Sequence, residues 1–179
     1  MAIELSTITF SFLGDVVPLS GADQLVNTGM ADTFAGNDIL IGTGSTFGIN
    51  NAIGASIQMG NGNDTIISTG VIYNGGSIKT GSGNDFIIAN QGFEGLGSVS
   101  LGDGDDYIKS FGSGNFSGGN GNDILELPPG SYTFVNWFGA GKYLKKGNTS
   151  MGVGGFEQLV AGSTTYNFSS LTQGQIIIV

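Results

Sequence analysis

The stretch "GNGNDTI" at residues 60–66 returns three times along the chain, as "GSGNDFI" at 81–87, "GDGDDYI" at 102–108 and "GNGNDIL" at 119–125. All four copies keep two glycines and one aspartate, and each runs directly into apolar residues. The four aspartates, Asp64, Asp85, Asp106 and Asp123, are separated by 21, 21 and 17 residues. A repeat of this length predicts that each copy forms one lap of a stacked structure.

A second landmark keeps the same spacing, because "SIQ", "SIK" and "SVS" begin at Ser56, Ser77 and Ser98. We therefore expect two short strands in each repeat, with a glycine turn between them. The stretches "STGVIYNGG" and "ANQGFEGLG" then turn the chain back. Two such strands and two turns use up a lap and leave no room for a helix. The predicted fold is all-β, a right-handed parallel β-solenoid with coils of about 21 residues.

The glycines and the aspartate of the motif have different explanations. A tight turn needs positive φ or a close chain approach, which explains the glycines. Stacking in register would place the aspartates about 4.8 Å apart, where two carboxylates repel by roughly 3 kcal/mol at an effective dielectric constant near 20. The turns contain no lysine or arginine, so oxygen ligands there favour a hard cation, calcium first and magnesium second. The alternative is that the aspartates only form turns, but four copies at lap spacing favour the cation.

One copy extends the motif further. The stretch "GGNGNDILE" at 118–126 fits every position of the G-G-x-G-x-D-x-U-x nonapeptide. The other three copies replace the first glycine by Met59, Thr80 and Leu101. The chain thus resembles the RTX, or hemolysin-type, calcium-binding repeat proteins, which form β-rolls.

This resemblance implies that aspartates and turn carbonyls of successive laps share each calcium ion. The implied ligands are the side chains of Asp64, Asp85, Asp106 and Asp123 and the carbonyls of Gly60, Gly62, Gly81, Gly83, Gly102, Gly104, Gly119 and Gly121. This predicts about three ions. Asp38, in "AGNDILIG", is a candidate to open the column and to hold a fourth, through a bulged lap. Unlike RTX rolls, the chain has one motif per lap, so we expect one calcium edge and an opposite edge closed by glycine, asparagine and apolar contacts.

We interpret residues 1–179 as a single domain with irregular coils at 1–55, regular repeats at 56–127 and a C-terminal cap at 128–179. In the cap, "SYTFVNWF" and "KYLKKGN" predict an aromatic β-hairpin. We expect Trp137 to be buried there, although aromatics beside three lysines would also suit a binding platform. Upstream, we expect Asp15, Asp23 and Asp32 to be ordinary turn residues, because they lack the glycine pair.

The composition narrows the possible partners. Fourteen acids against five lysines give a net charge of −9, which opposes nucleic acids and anionic membranes. No apolar run reaches the roughly 20 residues of a membrane span, and the chain has no cysteine or histidine. The start has no basic region and carries Glu4, so it does not resemble a secretory signal. The last stretch, from "GFEQLV" onward, resembles type I secretion regions.

The predicted function is a secreted, non-catalytic calcium-binding module at the cell surface or outside the cell, exported without an N-terminal signal. Its expected partners are calcium and an extracellular polysaccharide or another surface protein. An enzyme acting on a polysaccharide is the alternative, but Glu94, Glu126 and Glu157 form no evident catalytic pair, and we predict no catalytic residues. An ice-binding or adhesin module is the second alternative; for ice binding, the outward candidates, such as Thr65, Phe86 and Tyr107, are not uniform.

Overall fold

The computed structural model describes residues 2–17, 24–137 and 141–179. For Trp137, it describes the backbone but not the side chain. The strands are β1 (Ala2–Glu4), β2 (Val16–Val17), β3 (Gln24–Asn27), β4 (Met30–Asp32), β5 (Ile39–Gly42), β6 (Phe47–Asn51), β7 (Ser56–Asn61), β8 (Thr65–Ser68), β9 (Val71–Asn74), β10 (Ser77–Ser82), β11 (Phe86–Ala89), β12 (Phe93–Glu94), β13 (Ser98–Asp103), β14 (Tyr107–Lys109), β15 (Gly114–Asn120), β16 (Ile124–Leu127), β17 (Ser131–Trp137), β18 (Gly141–Lys146), β19 (Thr149–Gly154), β20 (Gln158–Ala161), β21 (Thr164–Asn167) and β22 (Ile176–Ile178). Two short 3₁₀ helices cover Leu5–Thr7 and Phe168–Ser170. No helix in these ranges is long and apolar enough to span a membrane.

The strands form three sheets, which the chain visits in turn. The five-stranded sheet has the order β1-β3-β6-β9-β12, the nine-stranded sheet β22-β17-β18-β19-β15-β13-β10-β7-β4, and the eight-stranded sheet β2-β5-β8-β11-β14-β16-β20-β21. Most neighbours are parallel, so the protein is all-β with parallel sheets, an arrangement consistent with a β-solenoid. From β3 to β14, each set of three successive strands contributes one strand to each sheet, and we call such a set a lap.

Each regular lap has three strands, where the sequence predicted two. The additional strands, β9 and β12, lie inside the stretches that we interpreted as turns. In β9, Ile72 and Asn74 are buried while Val71 and Tyr73 are half-buried, which is the alternation of a strand. Glycines flank this short run and gave it the appearance of a turn.

The 21-residue spacing places like residues in register. Ile78 lies between Ile57 and Val99 in the nine-stranded sheet. In the eight-stranded sheet, Ile66, Ile87, Ile108 and Leu125 form a second buried row. These rows belong to one continuous apolar core, and burial of this kind stabilises a fold by about 25 cal/mol per Å² of apolar surface.

The two irregular spacings of the motif have structural causes. The 17-residue spacing arises because a single bridge, between Phe93 and Gly112, replaces a full strand of the five-stranded sheet before β15. The 26-residue spacing from Asp38 to Asp64 contains β6, whose register against β9 shifts between Phe47 and Ile49. This shift accounts for one of the five extra residues, and the other four lie in the loops on either side of β6, which have four residues each, against two on either side of β9.

The C-terminal part pairs differently from the repeats. β17 and β18 form an antiparallel hairpin, and β18 continues antiparallel to β19. Tyr132 and Phe134 of β17 are completely buried, and the Phe111 and Tyr132 rings lie 4.9 Å apart. These two aromatic side chains therefore pack into the core and are not available as a surface platform. The side chain of Trp137 lies outside the described part of the structure, so its burial stays a prediction.

Candidate functional site: a column of buried carboxylates

The glycines of the motif form the turn that joins the nine-stranded sheet to the eight-stranded sheet. Gly81 has a φ of 113° and Gly83 a φ of 123°. A Cβ on Gly81 would overlap the carbonyl oxygen of Gly60, and one on Gly83 would overlap that of Gly62. The same holds in the next two laps, so successive turns stack closely enough that each position requires glycine. All eight predicted glycines, 60, 62, 81, 83, 102, 104, 119 and 121, have positive φ.

The aspartates of these turns point into the protein. We call Asp38, Asp64, Asp85, Asp106 and Asp123 the aspartate column, and each is at most 2% exposed. One carboxylate oxygen, Oδ1, accepts a hydrogen bond from the backbone N–H of the aspartate one lap earlier. The N···O distances are 2.8 Å for Asp38 to Asp64, 2.8 Å for Asp64 to Asp85, 2.7 Å for Asp85 to Asp106 and 3.0 Å for Asp106 to Asp123.

The column extends beyond the four repeats at both ends. Asp38 accepts from the backbone N–H of Asp15 at 2.6 Å, so it is bonded like the repeat aspartates. Asp15 therefore lies in register with the column, although its own carboxylate accepts from the Ser11 N–H, as a turn residue does. Asp32 also forms a local turn, accepting from the Phe34 N–H. Asp23 lies outside the described residues.

Glu157 closes the column at the other end, a role that the sequence analysis missed. Its Oε2 accepts from the backbone N–H of Asp123 at 2.8 Å. Gln158 pairs with Ile124, so Glu157 occupies the register position of the aspartate. The signal was present in "GGFEQL" at 154–159, where glutamate takes the place of the motif aspartate two residues before Leu159, which pairs with Leu125.

The second oxygen of each column carboxylate has no partner. Oδ2 of Asp38, Asp64, Asp85, Asp106 and Asp123 is buried and makes no hydrogen bond to the described residues. An unsatisfied buried polar atom is unfavourable by about 1–3 kcal/mol, more when it is charged. Five such atoms in one row are the largest group of unsatisfied buried atoms among the described side chains, and they call for a proton or a cation.

Burial shifts the acidity of the column. Burial raises the pKa of Asp64 to about 7, and the charges of Asp85 and Asp38 add to the rise. Burial likewise raises the pKa of Asp106 to about 7, with the charges of Asp85, Asp123 and Asp105 adding to it. The pKa values of Asp38, Asp85 and Asp123 are also raised, chiefly by burial. The hydrogen bond from the neighbouring backbone opposes the rise in each case, and so does the Thr33 hydroxyl at Asp38 and the Thr80 hydroxyl at Asp85.

A second ladder runs along the solvent side of the same turns, one residue earlier. Asn63 Oδ1 accepts from the backbone N–H of Asn84 at 2.8 Å, and Asn84 Oδ1 accepts from that of Asp105 at 3.0 Å. Here each acceptor precedes its donor along the chain, the reverse of the aspartate column. This outer ladder is exposed and includes Asp105 in place of asparagine. The "ND" pair of the motif thus ties each turn to both neighbouring laps.

The turn between the five-stranded and nine-stranded sheets contains a different buried row. Asn27, Asn51 and Asn74, the asparagine ladder, are at most 2% exposed. Each donates from Nδ2 to the next, at 2.8 Å from Asn27 to Asn51 and 2.8 Å from Asn51 to Asn74. Because an amide both donates and accepts, Asn51 and Asn74 accept within the row without a charge, and only the Oδ1 of its first member, Asn27, has no partner. It lies where the prediction placed asparagine and glycine contacts.

Glu126 is an acid that lies apart from the column. Glu126 forms an ion pair with Lys109 at 2.7 Å and accepts from the Tyr107 hydroxyl, on the outward face of β14 and β16. The Lys109 and Tyr107 hydrogen bonds lower the pKa of Glu126, the opposite of what a general acid needs. In the described residues, no three Asp, Glu, His or Cys side chains are grouped closely enough to hold a metal by themselves.

Comparisons with protein-family models, curated proteins and solved structures found no match to this chain. The similarity to RTX repeats therefore rests on the motif residues alone. What the structure adds is their arrangement, in which the four repeat aspartates, Asp38 and the eight glycines lie in one stack of turns.

Proposed function

We propose that this protein is a secreted, calcium-binding, RTX-like module, built as a right-handed parallel β-solenoid with laps of about 21 residues and a C-terminal aromatic cap. In this proposal it has no catalytic activity and acts as a structural, surface or interaction module. The observation that supports calcium binding is the row of five buried carboxylates, each with one oxygen that has no partner.

The donor set suits a hard cation. Carboxylate and carbonyl oxygens are the ligands that calcium prefers, and the turns offer no nitrogen or sulfur side-chain ligand. The aspartate column would supply one free oxygen per lap, and the carbonyls of the motif glycines would supply the others. A bound cation would provide the positive charge that the buried carboxylates lack. Because no three acidic side chains among the described residues group together, backbone carbonyls would have to provide most ligands of each ion.

The structure also bears on the number of ions. Asp38 accepts the same backbone hydrogen bond as the repeat aspartates, so we include it in the proposed site. Five aspartates then enclose four gaps, one more than the three gaps between the repeat motifs. We therefore propose three ions between the motif turns and a fourth between Asp38 and Asp64.

Isothermal titration of the metal-free protein with calcium tests this function. We expect binding of three to four ions per chain, and weaker binding of magnesium, which demands a more regular geometry. Asp85 borders two of the proposed gaps and Asp123 borders one, so Asp85→Ala should lose more ions than Asp123→Ala. Asp32→Ala is the matched control, because Asp32 forms only a local turn. Absence of calcium binding, or equal binding by Asp85→Ala and wild type, would refute the proposal.

A further inference from the structure

The outward face of the eight-stranded sheet is largely apolar, although it is open to solvent. We call the outward residues of β5, β8, β11, β14, β16 and β20 the apolar face. They are Ile39, Ile41, Thr65, Ile67, Phe86, Ile88, Tyr107, Lys109, Ile124, Glu126, Gln158 and Val160. Each is at least partly exposed and alternates with a buried residue of its strand. None of them belongs to the apolar core.

The strand register aligns the side chains of the apolar face in two rows. In one row, Ile67 lies between Ile41 and Ile88. In the other, Phe86 and Tyr107 are neighbours, and their rings stack with centroids 4.8 Å apart. The Phe86 side chain is 37% exposed. Branched and aromatic side chains thus form ridges that repeat at the strand spacing, about 4.8 Å.

The same laps carry a polar face on the nine-stranded sheet. The outward residues of β7, β10, β13 and β15, the serine face, are Ser56, Gln58, Ser77, Lys79, Ser98, Ser100, Asn115 and Ser117. None of these eight residues is apolar. On β8, β11, β14 and β16, by contrast, five of the eight outward residues are apolar or aromatic, namely Ile67, Phe86, Ile88, Tyr107 and Ile124. Because both faces lie on the same laps, packing within the fold does not account for this difference, and an exposed apolar patch marks an interaction surface.

The apolar face has no net charge, although the chain is strongly acidic. The chain has 14 acids against five lysines, but the charged residues of this face are Lys109 and Glu126, whose side chains form an ion pair at 2.7 Å. The Tyr107 hydroxyl also donates to Glu126, and the Gln158 amide donates to Asn122. These polar groups are paired within the chain, so a partner that covers the face would not leave them unsatisfied.

We propose that the apolar face binds the apolar face of a second copy, so that two eight-stranded sheets pack against each other. Sheets pack face to face about 10 Å apart, with their strands aligned to within about 30°. The ridges of both copies repeat at the same spacing, which allows them to interdigitate. Two acidic chains repel each other, and this repulsion is weakest across a face without net charge. Matching ridges and local neutrality therefore favour a second copy as the partner.

Such a pair uses the same surface on both copies and closes on itself, so it forms a dimer and nothing larger. Six strands about 4.8 Å apart and four residues of about 3.3 Å give the face a flat area of roughly 29 by 13 Å, or about 400 Å² on each partner. A standard stable interface buries about 800 Å² on each partner. The dimer should therefore be reversible, with a dissociation constant on the order of 0.1 mM.

Sedimentation equilibrium in calcium-containing buffer, with two matched pairs of variants, tests this inference. Ile67→Glu places a charge on the apolar face, and Ser100→Glu places the same charge on the serine face. Thr65→Ile enlarges the apolar face, and Ser77→Ile adds the same side chain to the serine face. Each variant is first shown to unfold at the wild-type temperature. None of these residues belongs to the aspartate column, so failure of the inference would leave the calcium proposal standing.

We expect the average mass of wild type to rise from that of one chain, 18.2 kDa, toward twice that value between about 10 µM and 1 mM. Ser100→Glu should dimerise like wild type. Ile67→Glu should stay monomeric, because the dimer would bury two unpaired charges. Wild type that stays monomeric at 1 mM, or a mass that keeps rising beyond the dimer, would overturn the proposal.

The isoleucine pair tests the proposal through a gain of affinity. Thr65→Ile should lower the dissociation constant at least about fivefold, because each dimer buries the added apolar surface twice. Ser77→Ile should leave the dissociation constant at the wild-type value. Equal effects of the two isoleucine variants, or of the two glutamate variants, would show that the apolar face is not the dimer interface.

Discussion

The aspartate column and the asparagine ladder are buried rows at two turns of the same laps, and they satisfy their polar atoms in different ways. The asparagine ladder links amide to amide, so its middle member, Asn51, both donates and accepts within the row. The aspartate column accepts one backbone N–H per carboxylate and leaves one oxygen over in every lap. The row of amides thus leaves an oxygen without a partner only at its first member, Asn27, whereas the row of carboxylates leaves one in every lap and requires something positive from outside the chain.

Removing calcium should have the largest effect, and it should act on one of the two rows only. Calcium at 100 times its dissociation constant adds about 2.7 kcal/mol for each independent site, so the four proposed sites would add roughly 11 kcal/mol. We expect chelator at pH 8 to lower the free energy of unfolding by an amount of this order. Urea unfolding with calcium and with chelator measures it. An unchanged midpoint would mean that the column needs no cation.

Replacing one amide of the asparagine ladder by a carboxylate should have the next largest effect on the free energy of unfolding. In Asn51→Asp, a carboxylate replaces an amide that donates to Asn74 and to the Ser77 carbonyl. The carboxylate then faces the Asn74 and Ser77 oxygens and keeps only the Asn27 amide as a donor. A buried charge that loses its partners destabilises a protein by about 3–5 kcal/mol. We expect a loss of this size at pH 7, measured by urea unfolding.

The control for this exchange is Asn63→Asp. Asn63 belongs to the exposed outer ladder, in which Asp105 already occupies the equivalent position. Exposed substitutions of this kind change the free energy of unfolding by less than about 0.5 kcal/mol. Equal losses in the two variants would show that burial does not distinguish the two ladders.

The pH dependence of the free energy of unfolding also distinguishes the aspartate column from the asparagine ladder, and we expect this effect to be smaller. The pKa of Asp64 and that of Asp106 are about 7 in the folded protein, against 3.8 for an unperturbed aspartate. The folded state therefore binds more protons than the unfolded state between these pH values. Stability without calcium should be full below pH 4 and should fall as the pH rises to 7, by up to about 1.4 kcal/mol per pH unit for each group.

Urea unfolding of the metal-free protein between pH 4 and 8 measures this slope. The neutral asparagine ladder contributes nothing to it. Calcium should reverse the trend, since protons and calcium compete for the same carboxylates. A metal-free stability that rises from pH 4 to 7 would contradict the inward, buried position of the column.

The repeat made much of this arrangement predictable from sequence. The aspartate at the same position of four repeats indicated the stack. The glycine pairs indicated that successive turns lie too close together to leave room for a Cβ, as Gly81 and Gly83 show. The predicted all-β fold with parallel strands is confirmed. What the pattern could not give is the direction of the carboxylates. We expected neighbouring carboxylates to face each other, but a backbone N–H lies between successive ones, as between Asp64 and Asp85.

Two further features escaped the sequence for separate reasons. The third strand of each lap, such as β9, is a short alternating run between glycines, which resembles a turn when only local signals are used. Glu157 was missed because the cap hairpin separates it from Asp123 by 34 residues and because glutamate breaks the motif. Only the pairing of β20 with β16 shows that it belongs to the column.

The adjacent residues Asp105 and Asp106 allow the most direct test of cation binding by the column. Both are aspartates whose Oδ1 accepts a backbone N–H, but Asp105 is exposed in the outer ladder and Asp106 is buried in the column. Calcium titration of Asp105→Asn and Asp106→Asn at pH 8 compares them with the same chemical change. We predict that Asp105→Asn binds as many ions as wild type and that Asp106→Asn loses those in the two gaps beside it. Wild-type binding by Asp106→Asn, or an equal loss in both variants, would contradict the role of the buried carboxylates as calcium ligands.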